Sequence, residues 1–76
     1  MNKEMVKRKL EHMMTGLSRR SSELLKESEM VTGASAKYFM QQSETLAIKC
    51  RALNDFALQV GFSVTWDATT NSYKLG

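Results

Sequence analysis

The sequence predicts an α-dominated α+β fold: an antiparallel two-helix hairpin, then a short C-terminal β-hairpin, the whole assembling into a homo-oligomeric helical bundle. Three observations lead there. Apolar residues recur at three- and four-residue spacings over about 3–30. They do so again, without a slip, over about 35–60, and after Gly61 the pattern changes to alternation. A chain of 76 residues makes one domain, 1–76. At that size roughly 60–65% of the unfolded surface is buried, so a partner subunit is an expected source of stability.

The first helix is expected over about 3–30. Val6, Leu10, Met13, Leu17 and Leu24 form a heptad stripe of coiled-coil type with a gap at Arg20, and Met14 and Leu25 widen it. The chain has no proline to interrupt it. Gly16 costs about 1 kcal/mol relative to Ala inside a helix. The segment Thr15-Gly16-Leu17-Ser18 could be a turn, with Ser18, Ser21 or Ser22 capping a second piece. Because the heptad phase survives across Gly16, one helix is favoured, with a kink or break near Gly16 left open. Gly33 can end this helix through positive φ, and Thr32 or Ser35 can cap the next. So short a connection sets the two helices antiparallel.

The second helix, about 35–60, carries the most regular pattern. Phe39, Leu46, Leu53 and Val60 recur every seven residues, interleaved with Ala36, Ser43, Cys50 and Ala57, also every seven. One seam position is always large and the other always small, which lets two helix backbones approach closely. Cys50 belongs to the small seam and reads as a packed, inert thiol. Gly61 and Phe62 suit a Schellman ending.

The β-hairpin is expected over about 62–75. Phe62, Val64 and Trp66 alternate with Ser63, Thr65 and Asp67, the segment Asp67–Asn71 supplies a turn, and Tyr73 and Leu75 share a face of the return strand. A two-stranded hairpin is marginal alone. The end of the second helix, apolar nearly all round at Ala52, Phe56, Leu58 and Val60, is the expected support. Trp66 should then be mostly buried near Phe56 and Val60, or across an oligomer interface, with Ser63, Thr65 and Asp67 in solvent.

Charge is uneven. Lys and Arg total 11 against 8 Asp and Glu, a net +3. Residues 1–20 hold six basic and two acidic side chains, a net of +4, whereas residues 21–30 hold one basic and three acidic, a net of −2. In one helix this polarity runs against the macrodipole. An antiparallel copy of the helix, an acidic partner or a nucleic acid would each match it, and a solvated, screened face would tolerate it.

Enzyme chemistry finds little footing. His12 is the only histidine, so no two-His zinc site forms within one chain. A Cys50–His12–Asn54 set fails because a reactive thiol needs exposure, which a seam position denies. Gly16, Gly33, Gly61 and Gly76 are isolated, so no phosphate loop forms. The sequence therefore offers no catalytic, cofactor-binding or metal-ligating residues and calls for no cofactor. One cysteine suits a reducing cytosol, and no apolar run reaches the length of about 18 that spans a membrane. Met1–Leu10 is basic and broken by charges, so no secretory leader is expected. Met1, Met5, Val6, Leu10, Met13 and Met14 could lie on lipid, but they lack Trp or Phe anchors and fit a packing seam better.

The remaining function classes are binding ones. Lys3, Lys7, Arg8, Lys9, Arg19 and Arg20 are the candidate contacts for an anionic partner, and a winged-helix DNA-binding regulator, with a turn at Gly16 and the hairpin as wing, is the alternative. The favoured reading is a small cytoplasmic, non-enzymatic protein that acts by protein binding as adaptor, inhibitor or regulator. That form is common among phage and mobile-element proteins. One helix pair leaves Met14, Leu25, Met40 and Ile48 off the main seams, so these are the candidate oligomer or partner surface, with a homodimer favoured.

Overall fold

The structure is a computed structural model that describes residues 2–76. Two helices, α1 (Lys3–Glu29) and α2 (Ala34–Val60), precede strands β1 (Val64–Asp67) and β2 (Ser72–Leu75). Met1, the first residue of the possible lipid-facing stretch, lies outside the described residues.

Asn2 caps α1: its side-chain oxygen accepts the Glu4 N–H at 3.0 Å. The helix runs unbroken through Gly16. Leu10 and Met14 before that residue and Leu24 after it all bury, so packing on both sides offsets the intrinsic cost of the glycine. The turn at residues 15–18 does not form, and with it goes the extra helix that a winged-helix arrangement needs.

The junction to α2 uses backbone alone. Gly33, at φ 70° and ψ −139°, is the cap residue, and no side chain caps the helix, so neither Thr32 nor Ser35 serves that purpose. The far end closes as expected. Gly61 adopts φ 106°, its N–H reaches the Leu58 carbonyl at 3.1 Å, and the Phe62 N–H reaches the Ala57 carbonyl at 3.0 Å. Phe62 folds back into the core.

The helices meet on the small seam. Ser43, Cys50 and Ala57 are buried, whereas Phe39, Leu46 and Leu53 are half-buried and Val60 is exposed. Small side chains allow a reciprocal contact: Ser21 Oγ donates to the Ser43 carbonyl at 2.9 Å, and Ser43 Oγ donates to the Ser21 carbonyl at 2.8 Å. The Cys50 thiol reaches the Met14 carbonyl at 3.5 Å. Each bond needs backbones close enough for a two-atom side chain to cross.

Two expectations are corrected here. Met14, expected at the surface, is 0% exposed and joins Leu10, Cys50, Ala57, Phe62 and Leu75 in the core. The hairpin covers that flank of α1, so the buried stripe is wider there than a heptad alone implies. Met13, expected in the seam, is 48% exposed.

The second correction concerns the hairpin's seat. β1 and β2 pair antiparallel, with Val64 opposite Leu75 and Trp66 opposite Tyr73. The turn is built by Asp67, whose Oδ1 accepts the Thr69 N–H at 2.9 Å, and by Asn71 at φ 54°. The hairpin then grips α1 by polar side chains rather than lying on the apolar end of α2. Glu11 Oε2 accepts the Leu75 N–H at 2.8 Å and Thr15 Oγ1 accepts the Tyr73 N–H at 2.9 Å. The Arg19 guanidinium donates to the Asn71 and Thr70 carbonyls at 3.0 and 3.1 Å. Glu11, Thr15 and Arg19 are spaced by four, one stripe of α1. Held this way, Trp66 lines a cleft with Ser22, Glu23 and Lys26 of α1, sits edge-on to Tyr73 at 4.9 Å, and remains 43% exposed. Phe56 and Val60, its expected neighbours, are exposed.

Candidate interaction surface

The hairpin covers one broad face of the helix pair and leaves the other bare. On the bare face His12, Met13, Gly16 and Leu17 of α1 and Lys49, Ala52 and Leu53 of α2 line a groove of about 620 Å³. Its walls are almost wholly apolar. The heptad pattern explains them. Met13 and Leu17 flank the buried stripe of α1, and the large-residue seam of α2 sits beside its small seam. Because the small seam makes the contact, the large residues are left on the groove side.

The shape of the molecule makes the same point. Its extents are 46 × 24 × 15 Å, and a single helix with side chains is already about 10–12 Å thick. The radius of gyration is 14.2 Å, against about 11 Å for a compact domain of this length. Large apolar side chains stay outside the core on both helices, among them Met5, Met30, Tyr38 and Phe56.

Of the residues expected to form a partner surface, Leu25, Met40 and Ile48 are exposed, but none lines the groove, and Met14 is inside the core. The groove residues Met13, Leu17 and Leu53 carried a signal that pointed inward, since heptad spacing does not distinguish a helix's own partner from a partner in another molecule.

The basic candidates do not gather on one face. Arg19 is spent on the hairpin turn. Arg20 pairs with Glu23 at 3.1 Å and approaches Glu27 at 4.0 Å, and Arg8 approaches Glu4 at 3.5 Å. The Lys3 ammonium sits 5.5 Å above the Phe62 ring. Lys7 is half-buried and Lys9 is exposed. The acidic Glu4 in the first turn and Lys26 in the last also mean that the two ends of α1 do not oppose its dipole as simply as the charge sums imply.

A second, smaller cleft of about 250 Å³ lies under the hairpin, lined by Ser18, Ser21, Ser22, Ala47, Cys50, Arg51, Asn54 and Tyr73. Burial pushes the Tyr73 hydroxyl above its ordinary value, the Cys50 thiol adds to this and Ser18 opposes it. Asn54 Oδ1 is buried without a hydrogen-bond partner among the described residues. Cys50 and Asn54 are here while His12 is at the groove, so the three do not assemble into a nucleophilic set. Among the described residues no helix is long and apolar enough to cross a membrane. No protein-family model, curated protein or solved structure matches the chain.

Proposed function

We propose that this chain is a small, cytoplasmic, non-enzymatic interaction protein that acts by protein binding, as an adaptor, inhibitor or regulator, and that it self-associates. The bare apolar groove between α1 and α2 carries the reading. Burying an apolar wall of this kind is worth roughly 25 cal/mol per Å² removed from water, and within one chain nothing covers it. The exposed methionines suit an adaptable contact surface.

The nucleic-acid alternative has weaker support. It needs basic side chains on one face, and Arg8, Arg19 and Arg20 each have a partner within the chain.

The test compares the protein with Ala52→Glu, which puts a charge in the groove at an exposed position without touching the core. At concentrations too low for association, both proteins should melt alike. The parent should retain protein partners, including itself, that the variant loses. Equal binding by the two would remove the groove from the account. Salt-sensitive retention on heparin, unchanged by Ala52→Glu, would favour the nucleic-acid reading.

A further inference from the structure

Gly16 has no role inside its own chain. It lies mid-helix with no positive φ, and a Cβ added to it would meet nothing within 4 Å. Alanine would fit and would favour the helix. Gly16 also lines the apolar groove. A glycine on an outward helix face permits one thing a larger residue does not, which is close approach by another backbone.

Two charges of opposite sign flank it at equal distance. Lys9 and Glu23 lie seven residues before and seven after Gly16, so the three share one stripe along α1. Lys9 forms no ion pair among the described residues, and Glu23 has only the exposed partner Arg20. With His12 four residues before Gly16 and Arg20 four after, the stripe reads Lys9, His12, Gly16, Arg20, Glu23, and in an antiparallel copy Lys9 meets Glu23 while Arg20 meets the single histidine.

From these observations, and resting on the self-association proposed above, we propose that the groove is filled by a second copy of this chain. The two copies are related by a two-fold axis at Gly16, with α1 crossing the partner's α1 antiparallel. Each Lys9 then faces Glu23 of the partner subunit, and Met13 and Leu17 beside the axis pack against the same residues of the other copy. The hairpins lie on the outer faces, giving a four-helix layer between two small sheets. A face of 46 by 24 Å sets an upper bound of about 1,100 Å² on the contact, against roughly 800 Å² from each partner in a stable dimer.

A charge-reversal cycle tests the register, because residues 9 and 23 are two heptads apart, about 21 Å along the helix, and cannot pair within one chain. Lys9→Glu and Glu23→Lys are each made in the full chain and then combined, with association read by sedimentation equilibrium. Each single variant creates two like-charge pairs by symmetry and should weaken the dimer roughly tenfold, while the double variant should return to within about threefold of the parent. A second measurement reads proximity and leaves Gly16 in place. Lys9→Cys mixed with Glu23→Cys, both in a Cys50→Ser background, should form the mixed disulfide on mild oxidation at least about tenfold faster than Lys9→Cys mixed with Glu44→Cys, because the register faces residue 9 with residue 23 of the other copy. A dimeric parent whose double variant is no better than the singles, or whose Lys9→Cys form cross-links equally fast with Glu23→Cys and with Glu44→Cys, overturns this register and leaves self-association standing. A parent that stays monomeric overturns both.

Discussion

Leu75 donates its amide to Glu11 Oε2 at 2.8 Å, and one helical turn on, Tyr73 donates to Thr15 Oγ1 at 2.9 Å. Two side chains of a helix thus take the place of a third strand at the open edge of β2. A two-stranded hairpin is too small to persist alone, and an unpaired edge invites pairing with other chains. Here the helix solves both problems with residues four apart.

Removing that acceptor should loosen the hairpin. Glu11→Ala should cost about 1–2 kcal/mol in a denaturant melt, since it leaves a partly buried N–H unpaired. Glu11→Gln keeps an acceptor oxygen and should cost less. An alanine variant as stable as the parent would mean that β2 is held by packing alone.

Gly16→Ala should act in the opposite direction on the isolated chain. At concentrations too low for association, it should raise stability by roughly 0.5–1 kcal/mol, because the added methyl is unopposed and the helix gains propensity. A loss in thermal melts at those concentrations would show that some contact within the chain requires glycine.

The close seam makes Cys50 a sensitive position. Cys50→Leu should destabilise by roughly 1–3 kcal/mol through overpacking, while Cys50→Ala and Cys50→Ser should be milder. A leucine variant that melts above the parent would contradict the short backbone approach that the Ser21–Ser43 contacts require.

Asp67 gives the hairpin a dependence on acid. The Thr69 N–H lowers its carboxyl pKa from the usual 3.8; desolvation opposes it, and Thr70 and Lys74 each add a smaller lowering contribution. A carboxyl whose folded pKa lies below its unfolded one stabilises the fold above the unfolded value, and that support is lost as pH falls through the folded value. Trp66 fluorescence should therefore report loosening of the hairpin only at pH below the ordinary aspartate range, and Asp67→Ala should abolish that step. A parent and variant with the same acid profile would remove the turn from the explanation.

The elements were legible in the sequence because each rests on local periodicity or local turn chemistry. The heptads located both helices, and Gly61-Phe62 located the second helix's end within a residue. The alternation after Gly61 located the strands. What was not legible was which face each element turns to its neighbour. Heptad spacing put Met13 inside and Met14 outside, and the fold reverses them, because the hairpin covers one flank of α1 and sets its rotation. That flank is chosen by Glu11, Thr15 and Arg19, polar residues whose partners are backbone groups more than 50 residues away. Nothing in their own neighbourhood marks them as structural, so Arg19 read as a contact for an anion. Trp66 was misplaced for the same reason: its position follows from where β2 is held.

The central claim is that the groove opposite the hairpin is a contact surface, filled in the simplest case by a second copy. Solution mass by light scattering at micromolar concentration tests it most directly. The account predicts a species near twice 8.6 kDa that dissociates on dilution and that Ala52→Glu shifts toward the monomer. A folded, helical protein that stays at 8.6 kDa across the whole concentration range would contradict it.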